Sequence, residues 1–194
     1  MRFSLLLLLL LTSARTHAVD WPMWRSDPGH TAVSEENLSD KLHLQWILTF
    51  SERKRVWDDP LNHDLMSYDR IFEPIVLGDL LYVSFGDKDK VVAFDIESGQ
   101  EKWTFYADGP VRFAPVGWKE KIYVSSDDGY LYCLKADDGA LLWKFRGAPS
   151  DRKVLGNERV ISAWPARGGP VIRDGTVYFA ASIWPFMGTF IYAI

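Results

Sequence analysis

The stretch Ala93 to Trp103, Ala-Phe-Asp-Ile-Glu-Ser-Gly-Gln-Glu-Lys-Trp, returns 40 residues later as Cys133 to Trp143, and this repetition constrains the fold more than any other feature of the chain. Gly99 maps onto Gly139, Trp103 onto Trp143 and Phe105 onto Phe145 at a shift of 40, while Pro74 and Tyr82 map onto Pro115 and Tyr123 at a shift of 41. A third copy opens at Pro170 and Tyr178 and runs to Ile194. A period of about 40 residues suits paired helices or a four-stranded propeller blade. The local pattern favours strands. Lys121-Ile-Tyr-Val-Ser-Ser and Tyr130-Leu-Tyr-Cys-Leu are short, rich in β-branched and aromatic residues, and separated by the turn sequence Asp127-Asp128-Gly129. Glu97-Ser98-Gly99 and Asp137-Asp138-Gly139 supply the next turn of each copy, with glycine available for a left-handed backbone.

A single sheet cannot bury both of its faces, so a large flat residue recurring on the last strand of each unit is placed to pack on a neighbouring unit. The pattern Ala93-x-Asp95-x-x-Ser98-Gly99-x-x-x-Trp103 resembles the tryptophan-docking motif of the quinoprotein-type repeats, found in pyrroloquinoline quinone (PQQ) dehydrogenases and in their cofactor-free relatives of outer-membrane assembly. Ser98 stands where that motif has Thr. In the second copy Cys133, Lys135 and Asp138 replace Ala, Asp and Thr, leaving Gly139 and Trp143 as its landmarks. The resemblance covers Pro74 to Ile194 and implies an all-β fold, a partial β-propeller of four-stranded antiparallel blades. Its docking residues would be Trp46, Gly99, Trp103, Gly139 and Trp143. Tyr192-Ala193-Ile194 matches Tyr132-Cys133-Leu134, so the expectation is a truncated propeller whose last blade is incomplete.

The domain reading follows: residues 1–18 a signal peptide, 19–41 an irregular N-terminal segment, and 42–194 the blades. Met1-Arg2-Phe3-Ser4, the leucines from Leu5 to Leu11 and the small residues before Val19 describe a secretory leader cleaved after Ala18. That run is too short for a stable bilayer anchor, which predicts a secreted protein, periplasmic or extracellular in a bacterium. Leu42, Leu44, Trp46, Leu48 and Phe50 recur at period two and predict a half-buried strand.

The whole chain carries 22 Lys+Arg against 26 Asp+Glu, a net charge of −4; cleavage would remove Arg2 and Arg15 and no acid, giving −6. This acidity argues against nucleic acid or anionic membrane as the principal partner. Cys133 is the only cysteine and sits at the small-residue position of a strand, so it reads as a buried apolar side chain.

Candidate sites fall where the repeat is interrupted. Trp46 to Pro74 spans 28 residues and Trp143 to Pro170 spans 27, against 12 from Trp103 to Pro115. The long connectors, residues 51–70 and 147–167, are where function is most readily added to a repeating scaffold. They carry Arg53-Lys54-Arg55, Asn62-His63-Asp64, Arg152, Lys153 and Arg159. Arg70, Arg112 and Arg167 each shortly precede the proline that opens a blade. In a propeller those positions ring the central channel. Together with Arg152 and Lys153 they predict a basic channel mouth that binds a small anion through guanidinium forks. The alternative is that each arginine pairs with a nearby acid such as Asp69, Glu73 or Asp108.

Sequence signatures of chemistry are scarce: there is no phosphate loop, zinc-binding His-Glu-x-x-His, Cys-x-x-Cys or serine elbow. No metal and no catalytic residue is expected. The reading is a binding or interaction scaffold with protein or an envelope polymer as partner, and exposed tryptophans such as Trp57, Trp164 and Trp184 as contacts. One alternative is a structural interaction module of a larger protein. The other, implied by the resemblance, is a dehydrogenase using PQQ with calcium, a catalytic aspartate and commonly an adjacent-cysteine disulfide. One cysteine excludes that disulfide, and no aspartate maps onto the catalytic one.

Overall fold

The computed structural model describes residues 19–51, 72–156 and 159–194. Blade one comprises β1 (Ile75–Leu77), β2 (Leu80–Phe85), β3 (Lys90–Asp95) and β4 (Glu101–Tyr106), an antiparallel meander in that spatial order. Blade two repeats it with β5 (Val116–Trp118), β6 (Lys121–Ser125), β7 (Tyr130–Lys135) and β8 (Leu141–Arg146). A hairpin follows, β9 (Lys153–Gly156) with β10 (Arg159–Ser162). Blade three contributes β11 (Gly168–Arg173), β12 (Thr176–Ala181) and β13 (Phe190–Ala193). The first strands lie side by side, β1 beside β5 and β5 beside β11, as in blades arranged around an axis. The fold is that of a partial, all-β propeller.

Alternation along each strand divides its side chains between two inter-blade cores. Tyr82, Val91 and Ala93 of blade one meet Ile122, Val124, Tyr132 and Leu134 of blade two. The intervening residues of blade two, Tyr123, Leu131 and Cys133, meet Ile172, Val177 and Phe179 of blade three. Val83, Phe85, Val92 and Phe94 face the other way, against Leu48 and Phe72. The repeat therefore has two buried faces because each blade is a layer between neighbours.

The tryptophan motif works by shape. Ala93 pairs across the ladder with Trp103, and Cys133 with Trp143, so a small residue always faces the indole, and the register shifts at the same place in both blades. The Trp103 ring lies over the next blade's Gly139, where an added Cβ would stand 2.5 Å from Cε3, and its Nε1 donates to the Ala136 carbonyl at 2.9 Å. Gly139 has φ of +72° and Gly99 +69°, a left-handed backbone that glycine adopts without penalty. Trp46 sits over Gly99 in the same way and donates to the Ile96 carbonyl at 2.9 Å.

One expectation fails here. Residues 42–50 form no strand, although Trp46 and Leu48 face inward at the expected period. A strand needs a hydrogen-bonding neighbour, and none of the described strands lies beside this segment; its indole docks without one. The segment 19–41 is irregular apart from a bridge between Trp21 and Val76, and it runs along the free edge of β1 and β5: Trp21 and Val76 exchange backbone hydrogen bonds, and Gly117 N–H donates to the Pro22 carbonyl. The leader at 1–18 lies outside the described residues. Among the described residues no helix is long and apolar enough to cross a membrane.

Candidate functional site

The turn between β6 and β7, Ser126 to Gly129, lies at the end of the blades where β1, β5 and β11 begin. Its backbone is held from both sides. Asp127 N–H donates to the Pro110 carbonyl at 2.8 Å, and the Asp127 carbonyl accepts from Ser162 N–H at 2.8 Å. Two arginines then converge on the buried Asp127 carboxylate: Arg112 Nε at 2.6 Å from Oδ2, and Arg167 with Nε at 2.9 Å from Oδ1 and Nη2 at 2.7 Å from Oδ2. The Arg167 contact is the two-pronged fork that a planar guanidinium makes with a carboxylate. Two of the sequence-predicted arginines are thus brought together, and what they grip is an aspartate of the chain itself. Glu73 and Asp108 are not the acids engaged in these ion pairs, and Asp69 lies outside the described residues.

The adjoining Asp128 accepts from the Tyr132 hydroxyl and from Tyr130 N–H, the latter at 2.9 Å. Burial raises its carboxyl above the usual range, while these donors pull it down. Burial likewise pushes the Tyr132 hydroxyl well above an ordinary phenol, with Asp128 adding to the shift.

The corresponding turn of blade one, at Asp87 to Asp89, is gripped by a third arginine. Arg159 of β10 donates to the Asp87 carbonyl at 2.9 Å and pairs with the Asp89 carboxylate. Burial raises the Asp89 carboxyl, and Arg159 opposes that rise. Arg152 and Lys153 are exposed at the root of β9 and do not touch Asp127. Arg70, Trp57, His63 and the Arg53-Lys54-Arg55 run lie outside the described residues. The acids at the ends of β2 and β6 were missed as site residues in the sequence because Asp-rich turns look alike whether solvated or buried; the signal was that the two turns recur at the same place in the repeat, Asp87 matching Asp127, although the acid paired in blade one is Asp89, which matches Gly129.

The connector at 147–167, read from sequence as a loop, is built around β9 and β10. Val154 and Ile161 are cross-strand partners facing inward, whereas the next pair, Leu155 and Val160, is 68% and 58% exposed. Beside the base of this hairpin stands a loop at 182–188 containing a short 3-10 turn, Pro185–Met187. Ser182 N–H donates to the Pro165 carbonyl at 2.8 Å, and Trp164 Nε1 to the Met187 carbonyl at 2.9 Å. Trp164 is thereby partly buried, while Trp184 and Phe186 remain exposed, with Phe186 at 83%.

A cleft of about 220 Å³ lies where the N-terminal segment crosses the heads of the blades, walled by Trp24, His30, Glu73, Phe113, Gly169 and Pro170. At the opposite end, a wider groove of about 530 Å³ runs between the turns following β1, β5 and β7.

Two of the acids at this end of the blades are met by the chain's own cations. Among the described residues no group of three or more His, Cys, Asp or Glu is placed to hold a metal. Asp127 already carries two cations, so its charge is met by the chain, and Asp89 is paired with Arg159. Cys133 is buried, and burial pushes its thiol up, away from the reactive thiolate.

Comparison with known proteins sets this geometry in context. The family model described as "Outer membrane protein assembly factor BamB" matches residues 44–182. No curated protein matches the sequence. The quinohemoprotein alcohol dehydrogenase of Comamonas testosteroni is similar in structure, with a TM-score of 0.61 and 22% identity over 90% of this chain and 25% of its own. A europium-containing methanol dehydrogenase has a TM-score of 0.55 and 18% identity over 84% of this chain and 27% of its own. The chain thus spans about a quarter of each of these two structures, and the likeness at this identity is one of fold.

Proposed function

This chain belongs to the PQQ-like repeat family described as outer membrane protein assembly factor BamB, and from that membership we propose that it is a secreted binding scaffold of the cell envelope. Its partner is protein. The observation that carries the reading is the exposed pair Leu155 and Val160 on a hairpin whose other face is packed. A two-stranded ribbon over a rigid blade ordinarily turns polar residues outward. Here it presents aliphatic ones, and the neighbouring loop adds Trp184 and Phe186. Aromatic and aliphatic side chains held on an ordered support are the anchors of protein interfaces.

The dehydrogenase alternative asks the channel mouth to hold an anionic quinone and a calcium ion. Arg112 and Arg167 already grip Asp127, so a small external anion would have to displace that carboxylate from them. Arg152 and Lys153 stay accessible and add positive charge beside the hairpin for an acidic stretch of the partner.

The test is site-specific photo-crosslinking in the native envelope from positions 155, 160 and 186, with positions 79 and 120 at the opposite end as controls. The scaffold reading expects adducts to an outer-membrane assembly protein from the first set alone, and their loss in a Leu155→Ser, Val160→Ser variant of unchanged circular dichroism. Equal adducts from both ends would overturn it. Calcium-dependent dye reduction on addition of PQQ would replace it with the dehydrogenase.

A further inference from the structure

We propose that the cleft between the N-terminal segment and the heads of the blades is a binding site for an alkylammonium group. Its walls are three aromatic side chains, Trp24, His30 and Phe113, together with Glu73 and Pro170; the His30 and Trp24 rings touch edge to face, centroids 4.7 Å apart. This combination has a specific chemistry. Aromatic faces attract a cation through the ring quadrupole, and a carboxylate fixes where the charge sits.

The carboxylate is available. Glu73 accepts one backbone hydrogen bond, from Ala114 N–H at 3.3 Å, and among the described residues no cation is within ion-pair distance of it. The nearby guanidiniums are committed elsewhere. Arg112 reaches away from its neighbour Phe113 to Asp127, as does Arg167. Arg25 lies over the Trp24 ring, 5.6 Å from its centroid, and does not line the cleft. The Trp24 ring therefore already holds one cation outside the cleft.

The space is made by the repeat. Two residues before the blade-opening proline, blades one and two carry Phe72 and Phe113, whereas blade three carries Gly168; the next residue is Glu73, Ala114 and Gly169 respectively. An added Cβ at Gly169 would sit 3.5 Å from Phe113, an ordinary contact, so any longer side chain there would enter the cleft. A glycine at this one copy leaves a hollow of about 220 Å³, room for a short ammonium chain and too small for a fused-ring cofactor.

An ammonium group could arrive as a free amine or as a lysine side chain of a partner protein. The cleft is built from residues other than those of the hairpin and the 182–188 loop, so failure of this site leaves the scaffold reading standing, and the reverse.

The test uses the full chain and nuclear magnetic resonance titration with butylammonium, with N-acetyl-lysine methylamide, and with 1-butanol as the neutral isostere. Saturable binding of the two ammonium probes is expected, with 1-butanol weaker by about tenfold or more. Glu73→Gln should weaken ammonium binding about tenfold, a charge-assisted contact being lost. Gly169→Leu should abolish it by filling the hollow, and Trp24→Leu should reduce it. If Trp24→Leu fails to fold, the other two variants decide. Tighter binding of the lysine derivative than of butylammonium assigns the site to a partner's lysine; equal binding assigns it to free amines. No saturable ammonium binding, equal affinity for 1-butanol, or an unchanged Glu73→Gln variant would overturn the proposal.

Discussion

Asp-Asp-Gly occurs twice in blade two, at 127–129 and 137–139, at opposite ends of β7, and the two copies behave as different chemical groups. The first is buried, with Asp127 at 1% exposure, and joins the segments before and after the blade through Arg112 and Arg167. The second lies in solvent, with Asp137 and Asp138 side chains 67% and 55% exposed and Lys135 as their partner. A carboxylate in water keeps its hydration and gains little from a lysine. One removed from water depends on the cations that replace that water. The same three residues are a junction in one place and a turn in the other.

The largest way to break this comparison is Asp127→Ala. It removes the carboxylate on which two poorly hydrated guanidiniums converge and should cost about 3–5 kcal/mol of unfolding free energy, the range for breaking a buried pair. Denaturant unfolding measures it, and a loss below about 1 kcal/mol would show that the junction is no stronger than a surface pair. In a cycle with Arg167→Gln, the double variant should lose less than the sum of the two single ones.

Gly139→Val comes next, because the exposed turn has its own constraint in the indole above it. A Cβ there would meet Trp103 at 2.5 Å, and φ is +72°. Overpacking alone should cost about 1–3 kcal/mol, whereas Asp138→Asn beside it should lower the melting temperature only slightly.

Acid and base sharpen the contrast. Burial pushes the Tyr123 hydroxyl from 10.0 up to about 12. A group raised in the folded state contributes stability below its unfolded value and loses it as pH rises through the folded one. Stability should therefore fall between pH 10 and about 12, with tyrosinate absorbance rising together with unfolding. A transition completed below pH 10 would contradict this.

The two carboxylates Asp128 and Asp138 should respond in opposite directions. Asp128 is raised, chiefly by burial, so its contribution is present below 3.8 and is lost as pH rises through its raised value. Asp138 is lowered, first by the Ala140 N–H and also by Lys135, so its contribution is present above 3.8 and is lost on acidification. Melting curves against pH should flatten on the rising side in Asp128→Asn and, by a smaller amount, on the acid side in Asp138→Asn. Identical profiles for the two variants would remove the distinction between the turns.

Much of the fold was legible before any coordinates. The spacing of Gly99, Trp103, Gly139 and Trp143 specifies blades because an indole of that size, recurring once per unit, has to be covered by a neighbour. Cys133 was legible as a small buried residue for the same reason. The Leu42 to Phe50 alternation misled in two respects: only Trp46 and Leu48 of it face inward, with Leu42 and Leu44 exposed, and it says nothing of whether a neighbouring strand exists. The site was legible in half. Arg112 and Arg167 stood out by their spacing before a proline, yet their partner lay in a turn whose composition matches a solvated one.

The amino-acid sequence by itself determined the repeat, the strands and their turns, since period-two alternation, glycine's left-handed backbone and a recurring tryptophan are local or nearest-neighbour properties. Only the tertiary structure decided which carboxylate leaves water, that Arg112 and Arg167 share it, that β9 pairs with β10 and leaves Leu155 and Val160 exposed, and that glycine in the third copy opens a cleft beside Glu73. Those outcomes depend on what segments far apart in the chain bring next to a residue. Burial and charge pairing are set by that company, and a turn sequence carries no record of it.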